Sequence, residues 1–266
     1  LRLVAEFVLS PRVFVYAGIE DGSVQVFESL EEGSQEAPAL TIATATLDSC
    51  PTRTWSPISC PRRVCGLATD SASWLVAALS CGCIRTFRLP GHEECASIAL
   101  NLPLPPHTAV HVVADVALVA SKRELFVVDL LRGAVLRELA LPFAARPSIA
   151  VEGRSVFVQC DRRVRAWPKA VADAAPLADL ACPDAQPHDL RDPHRQVITG
   201  MAVPAGGEAV LTASPEEVRA WLWPQVGGRP AQLLWSVSAR QLAADAAPWE
   251  SMTLAMVCGS RGADRL

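Results

Sequence analysis

One pattern occurs five times along this chain: an apolar run, a short polar turn, and a second run that ends at an aromatic or aliphatic residue. Each copy has the length and residue types of two β-strands joined by a hairpin turn. The five paired runs lie at residues 14–27, 74–87, 116–130, 155–167 and 209–221. Such repetition predicts one small structural unit that is used several times.

Each hairpin is flanked by two further short apolar segments. The segments before the hairpins lie at about 3–9, 64–68, 110–113, 149–151 and 198–203. The segments after the hairpins lie at about 39–47, 96–102, 134–141, 176–181 and 232–237. Four short strands per unit, with no helical period, predict an all-β fold of small antiparallel sheets. The inner strands are almost continuously apolar, as expected where neighbouring sheets cover both faces.

The first hairpin resembles a WD40 repeat. Its Asp21-Gly22 turn suits a tight hairpin, because both residues tolerate positive φ better than most, and its second strand ends at Phe27. The corresponding motif positions of the next three units are Phe87, Asp129 and Trp167.

The fifth unit is the longest match to this family. In WD40 blades a His before the innermost strand, a Ser or Thr, a turn Asp and a Trp form a buried hydrogen-bond network. The resemblance assigns three of these roles to His194, Ser214 and Trp221. The turn contains residues 215–217, Pro-Glu-Glu, in place of the Asp. We therefore expect a network that lacks an acceptor and a looser blade, since a buried polar group without a partner costs about 1 to 3 kcal/mol.

The resemblance implies a β-propeller of four-stranded antiparallel blades. Five complete blades are expected at about 1–47, 62–102, 108–141, 147–181 and 194–238, with part of a sixth at 249–258. Seven blades are usual in this family. Residues 1–266 are therefore expected to form one propeller domain that is a fragment of a seven-bladed ring, completed by missing sequence or by another chain.

The spacing of the repeats predicts two insertions. The intervals between the closing positions of the five hairpins are 60, 41, 39 and 54 residues, measured at Phe27, Phe87, Val128, Trp167 and Trp221, whereas a WD40 blade has about 40 to 45 residues. The two longer intervals place insertions at residues 47–61 and 182–195.

Composition excludes several classes of protein. Half of the residues are apolar, but no segment reaches the roughly 18 to 20 uninterrupted apolar residues that a membrane span needs. The net charge is −4 and no basic stripe stands out along the sequence, so no nucleic-acid partner is expected. The nine cysteines are odd in number and lack a framework spacing, which predicts a reduced intracellular setting, the cytoplasm.

No catalytic or metal-binding motif is evident. Cys81 and Cys83 flank a turn glycine, but no second pair of ligands accompanies them as a structural zinc site requires. The chain also lacks a Gly-x-Ser-x-Gly elbow, a phosphate-binding loop and a His-Glu-x-x-His helix. We therefore expect no catalytic residue, metal or cofactor.

These observations predict a non-catalytic scaffold that binds other proteins within a larger intracellular protein or complex. The two insertions are the expected contact regions, and Trp55 and Trp249, in predicted loops, are candidate partner-binding anchors. One alternative is a propeller enzyme or small-ligand binder that uses the central channel. Another is a vesicle-tether or ciliary-transport subunit, in which helical repeats follow a degenerate propeller.

Overall fold

Five four-stranded antiparallel sheets follow one another along the chain. The computed structural model describes residues 3–9, 12–29, 40–42, 63–70, 73–152, 155–167, 188–190, 194–204, 209–222, 231–238 and 241. Almost no helix occurs among these residues, and in every sheet the strands lie side by side in chain order. The predicted all-β architecture of four-stranded sheets is confirmed.

The strands have the following bounds. The first sheet contains β1 (Leu3–Leu9), β2 (Arg12–Gly18), β3 (Val24–Ser29) and β4 (Leu40–Ile42). The second contains β5 (Val64–Thr69), β6 (Trp74–Leu79), β7 (Cys83–Arg88) and β8 (Glu93–Ala99). The third contains β9 (Ala109–Val113), β10 (Val116–Ala120), β11 (Glu124–Asp129) and β12 (Ala134–Ala140). The fourth contains β13 (Ser148–Glu152), β14 (Ser155–Cys160), β15 (Arg163–Trp167) and β16 (His188–Asp189). The fifth contains β17 (Gly200–Ala202), β18 (Ala209–Ala213), β19 (Glu217–Leu222) and β20 (Gln232–Ser238).

The fourth sheet is completed by a different segment from the predicted one. The sequence predicts its last strand at 176–181, which lies outside the described residues, whereas the strand paired with β15 is β16. The Arg165 guanidinium binds both carboxylate oxygens of Asp189, at 2.7 and 2.9 Å. This bidentate ion pair stabilises a strand of two residues. The strand contains no apolar run, so the sequence pattern does not predict it.

Strand β10 shows how the sheets pack against one another. All five of its side chains are buried. Val116, Leu118 and Ala120 pack against the fourth sheet, while Ala117 and Val119 pack against the second. Because successive side chains of a strand point to opposite faces, this strand is buried on both sides.

Four apolar clusters lie between successive sheets, from the first pair to the fourth and fifth. The largest fully buried side chains belong to them: Trp167, Trp221, Tyr16, Phe87 and Phe126. Burial of a side chain of this kind contributes about 1.5 to 3 kcal/mol relative to leaving it exposed. The core is therefore a series of thin layers between sheets.

Polar contacts also join neighbouring sheets. The Trp74 indole N–H donates to the Asp115 carboxylate at 2.9 Å, between the second and third sheets. The Tyr16 hydroxyl lies 3.1 Å from His92 Nε2, between the first and second, and burial raises the pKa of Tyr16 to about 12. These bonds give the indole and the phenol partners where water is excluded.

Gly82 occupies a turn position that no other residue type fits. It lies between β6 and β7 with φ +86°, and a Cβ added to it would lie 1.9 Å from the Leu102 carbonyl oxygen. Gly91, in the turn between β7 and β8, is a matched contrast, because its added Cβ would meet only the Glu93 Cγ at 3.8 Å.

We predict that Gly82→Ala lowers the free energy of unfolding by about 2 kcal/mol or more, through backbone strain and the clash with Leu102. Gly91→Ala, the control, is expected to change it by less than about 0.5 kcal/mol. Urea unfolding of both variants measures this difference, and equal stabilities would contradict the assignment of strain to Gly82.

Candidate functional site

A chain of buried hydrogen bonds crosses the fifth sheet. His194 Nε2 lies 2.7 Å from the Thr212 hydroxyl, and the Trp221 indole N–H donates to the same hydroxyl oxygen at 2.9 Å. His194 Nδ1 lies 3.3 Å from a Glu217 carboxylate oxygen. The Thr212 oxygen accepts the Trp221 N–H, and its own hydroxyl proton can be donated to His194 Nε2. The contact of Nδ1 with Glu217 is electrostatic and lacks the geometry of a hydrogen bond.

This network differs in two members from the one expected from the sequence. Its hydroxyl belongs to Thr212, whereas the Ser214 hydroxyl lies 3.3 Å from the backbone N–H of Glu217. Thr212 and Ser214 lie on the same side of the chain, but it is Thr212 whose hydroxyl accepts the Trp221 indole N–H. In place of a turn Asp, the carboxylate of Glu217, the first residue of β19, lies beside His194 Nδ1 and contacts it electrostatically.

Glu217 also binds Arg219, at 2.8 Å, and the Ser236 hydroxyl, at 3.1 Å. Burial raises the pKa of Glu217, but the hydrogen bond and charge of Arg219, the Ser236 hydroxyl and the charge of His194 outweigh it. The net result is a pKa below the usual value. Glu217 is therefore an ionised acceptor at neutral pH.

The Glu217–His194–Thr212 arrangement has the composition of a nucleophilic triad, but its geometry gives it a structural role. The Thr212 side chain is 0% exposed, and its oxygen already accepts the Trp221 N–H. A substrate carbonyl has no route to that oxygen, so the network holds the fifth sheet together.

The other predicted motif residues lie in separate sheets. Asp21 accepts hydrogen bonds from the Ser23 backbone and hydroxyl, and chiefly for this reason its pKa is lowered. Gly22 has φ +91° in the same turn. Asp129 accepts from the Arg132 backbone N–H at 2.9 Å. The remaining three lie on strands, with Phe27 half-buried and the other two in the core: Phe27, Phe87 and Trp167.

Both candidate anchors, Trp55 and Trp249, and the insertion at 47–61 lie outside the described residues. The insertion at 182–195 is described in part, at residues 188–190 and 194–195. Its described end lies in the loop between the fourth and fifth sheets.

One edge of the sheets carries a surface that is fixed by backbone hydrogen bonds. At this edge lie the turns between second and third strands and the loops that join one sheet to the next. In the loop 141–147, the Ala144 N–H donates to the Lys122 carbonyl, and the Ala145 N–H donates to the Asp161 carboxylate of the next sheet at 2.7 Å. This loop is thus attached to two neighbouring turns.

The following loop is attached in the same way. The His194 N–H donates to the Arg162 carbonyl at 3.0 Å, and the Ile198 N–H donates to the Asp161 carbonyl at 2.7 Å. On the side of the fifth sheet, the Gln196 amide donates to the Glu216 carboxylate. Both loops therefore have defined positions.

Five exposed cations lie on these turns and loops: Lys122, Arg123, Arg146, Arg162 and Arg195. We call these five residues the basic rim. The hydrogen bonds of the two loops link their backbones from the third sheet to the fifth, and the Arg162 guanidinium also donates to the Arg195 carbonyl at 3.3 Å. Among the residues that the structure describes, none of the five forms an ion pair with a carboxylate.

The carboxylates along the same edge are already engaged. Glu124 accepts from the Ser121 hydroxyl at 2.7 Å, Asp161 accepts from the Ala145 N–H, and Glu216 accepts from Gln196. The basic rim is therefore a local positive patch on a chain whose net charge is −4.

Two apolar side chains project from the same loops. Phe143 is 47% exposed, with the Arg123 guanidinium 5.7 Å from its ring centre, and Val197 is 48% exposed. Val197 also lines a pocket of about 540 Å³ between the fourth and fifth sheets, together with Arg146, Gln159, Ile198 and Met201. This edge thus combines charge, apolar surface and a cavity.

A second pocket, of about 570 Å³, lies at the outer side of the fifth sheet. Its lining includes Glu217 and Arg219, which bind each other. These two charges neutralise each other. Arg195 of the basic rim also lines this pocket, which therefore borders the rim.

Sequence reasoning did not identify the basic rim, because its members are scattered from residue 122 to residue 195. One signal was present. The pairs Lys122-Arg123 and Arg162-Arg163 lie forty residues apart, at the same turn of consecutive repeats. An alignment of the repeats would have placed these two basic pairs at equivalent positions.

The described cysteines are free thiols, four of them buried: Cys65, Cys81, Cys83, Cys95 and Cys160. Burial raises the pKa of Cys65 to about 11 and that of Cys160 to about 12. Within the described ranges, no three His, Cys, Asp or Glu side chains are grouped so that they could hold a metal ion. The same part of the chain contains no helix long and apolar enough to cross a membrane.

No protein-family model matches the chain, and no curated protein matches it. Among solved structures, the chain is similar to the computationally designed protein Ika8, with a TM-score of 0.58 and 15% sequence identity. The match covers 89% of this chain and 62% of that chain, so this chain spans less than two thirds of the designed protein's length. At this identity the likeness concerns the fold alone.

Removal of the Thr212 hydroxyl tests the network. We predict that Thr212→Val lowers the free energy of unfolding by about 2 to 4 kcal/mol, because two buried groups, the His194 ring and the Trp221 N–H, lose their partner. Thr86→Val is the control, since Thr86 is equally buried but makes one long hydrogen bond of 3.4 Å. Urea unfolding compares them, and similar losses in the two variants would refute the network's role.

The free energy of unfolding, measured over a series of pH values, tests the charge of Glu217. Since the folded-state pKa of Glu217 is below the usual glutamate value of 4.5, its stabilisation is complete above that pH and is lost as the pH falls through the folded pKa. Glu217→Gln is expected to be less stable than the wild type by about 1 kcal/mol at pH 7, with a gap that narrows below about pH 4.5. A gap that stays constant down to about pH 3 would argue against an ionised Glu217.

Proposed function

We propose that this chain is part of a WD40-like β-propeller that binds other proteins and catalyses no reaction of its own. Five four-stranded meanders, each packed face to face with the next, are what successive blades require. The hydrogen-bonded His194, Thr212 and Trp221 resemble the network that WD40 blades use. The proposed setting is a larger intracellular protein, in keeping with the free thiols.

The observation that carries this proposal is the presence of exposed apolar side chains on fixed loops. Phe143 stands between Leu141 and Ala144, both buried, and the backbone N–H groups of the latter two are bonded to the turn of the third sheet. Val197 precedes Ile198, which is buried and bonded to Asp161. Side chains held in this way lose little conformational entropy on binding, as good contact residues do.

The geometry favours binding over chemistry at this edge. The described carboxylates of the rim accept hydrogen bonds from neighbouring groups, and the buried hydroxyl of Thr212 is inaccessible. Shape and charge complementarity are then the means of recognition.

Substitution of the two apolar residues tests the proposal. We predict that a Phe143→Ser, Val197→Ser variant recovers about tenfold less of its specific partners than the wild type, in quantitative affinity purification after crosslinking. Leu131→Ser is the matched control, because Leu131 is 64% exposed but lies in the turn at the opposite edge.

Equal recovery of partners by all three proteins would contradict the proposal. So would a set of partners that is lost with the Leu131 variant and retained by the double variant. Far-ultraviolet circular dichroism and thermal melting establish that each variant remains folded.

A further inference from the structure

We infer that the basic rim binds an acidic linear segment of a partner protein, with an apolar side chain of that segment in the pocket between the fourth and fifth sheets. This inference rests on the proposed function and adds the chemistry of the partner. Its elements are the cations, the loops and turns that hold their backbones, and the adjoining cavity.

Charge supplies the first argument. The five cations are exposed and are not paired with carboxylates among the described residues, while Glu124 and Asp161 between them are held by hydrogen bonds. At the opposite edge, by contrast, the exposed Arg132 lies 3.7 Å from Asp129, and Arg88 lies 4.0 Å from Asp115. Among the described residues, the cations that have no carboxylate partner lie at the first edge, and this positive charge attracts an acidic partner and orients it.

Position supplies the second argument. Lys122 and Arg162 belong to turns whose carbonyls accept the N–H groups of Ala144 and His194, so the cations lie in sequence along three sheets. An extended peptide advances about 3.3 Å per residue and can place successive carboxylates along such a row.

The pocket supplies the third argument. At its floor the Ser148 hydroxyl donates to the Gln159 side-chain oxygen at 2.9 Å, and the Gln159 amide donates to the Ile198 carbonyl. These polar groups are satisfied by each other, so the remaining wall, with Val197 and Met201, favours an apolar side chain. Arg146 at the same pocket would bind a carboxylate next to that side chain.

A nucleic acid is a poorer match for this surface. Single strands bind where bases stack on open aromatic rings alongside basic residues. Of the described residues in the rim loops, Phe143 is the exposed aromatic, and the Arg123 guanidinium lies over its ring. The net charge of −4 also disfavours a polyanion that extends past the rim.

Fluorescence anisotropy with defined probes tests the inference. The probes are a labelled peptide with glutamates flanking one leucine, the same peptide with glutamine for glutamate, the same peptide with serine for leucine, and an oligothymidine. We expect the acidic peptide to bind about tenfold more tightly than the glutamine peptide and more tightly than the oligothymidine, and to weaken as salt rises to roughly 0.5 M. Replacing its leucine should weaken binding about fivefold.

Charge reversal locates the site. Arg146→Glu and Arg162→Glu are each expected to weaken binding of the acidic peptide about tenfold, and Arg146→Gln by less. Arg132→Glu is the control, with the same change in charge at the opposite edge, and should leave the affinity within about twofold. Circular dichroism confirms that each variant is folded.

Several outcomes would overturn the inference: equal affinity for the acidic and glutamine peptides, tighter binding of the oligothymidine, or equal losses at Arg146 and Arg132. If the serine peptide binds as tightly as the leucine peptide, the pocket does not hold the apolar side chain. If the peptides fail while partner recovery still depends on Phe143 and Val197, the proposed function stands and this inference falls. If neither peptide binding nor partner recovery depends on the substituted residues, the proposed function and this inference both fall.

Discussion

A four-stranded sheet with apolar side chains on both faces is unstable alone in water, because each face exposes surface that must be covered. The five sheets of this chain meet that requirement by covering one another. Strand β10 is the clearest case, with three side chains directed to one neighbouring sheet and two to the other. The stacking order follows from this burial, and so does the placement of turns and loops at the sheet edges, where backbone groups reach water.

Two buried indole N–H groups in this arrangement have hydrogen-bond acceptors. Trp74 reaches Asp115 in the next sheet, and Trp221 reaches His194 through Thr212. In a thin apolar layer an indole N–H without an acceptor would cost about as much as burying a methyl group gains. The same rule applies at the rim, where the carboxylates of Asp161 and Glu124 bind neighbouring donors and leave the cations as the available charge.

Sequence reasoning located most of the strands because their signal is local: the run at 116–120 is apolar throughout, and the Asp21-Gly22 turn has a defined chemistry. It assigned the hydroxyl of the network to Ser214, whereas the structure uses Thr212, because the outcome depends on where His194 enters the core. It also missed Glu217, whose carboxylate lies beside the His194 ring, and β16, a strand too short for a periodicity. The basic rim was missed because loops distant in sequence form it, and their proximity is a property of the stack.

The loop 141–147 has an effect on how the molecule comes apart. Its backbone is bonded to the turn of the third sheet through Ala144 and to that of the fourth through Asp161, and Asp161 in turn accepts the N–H of Ile198. In a linear stack each unit contacts only its neighbours, and unfolding can begin at an end and advance. Asp161 is hydrogen-bonded to the loop before its sheet and to the loop after it, and these bonds oppose such stepwise unfolding. Sheets three to five should therefore exchange their amide hydrogens as one cooperative block, within which the recognition loops open only when the core does.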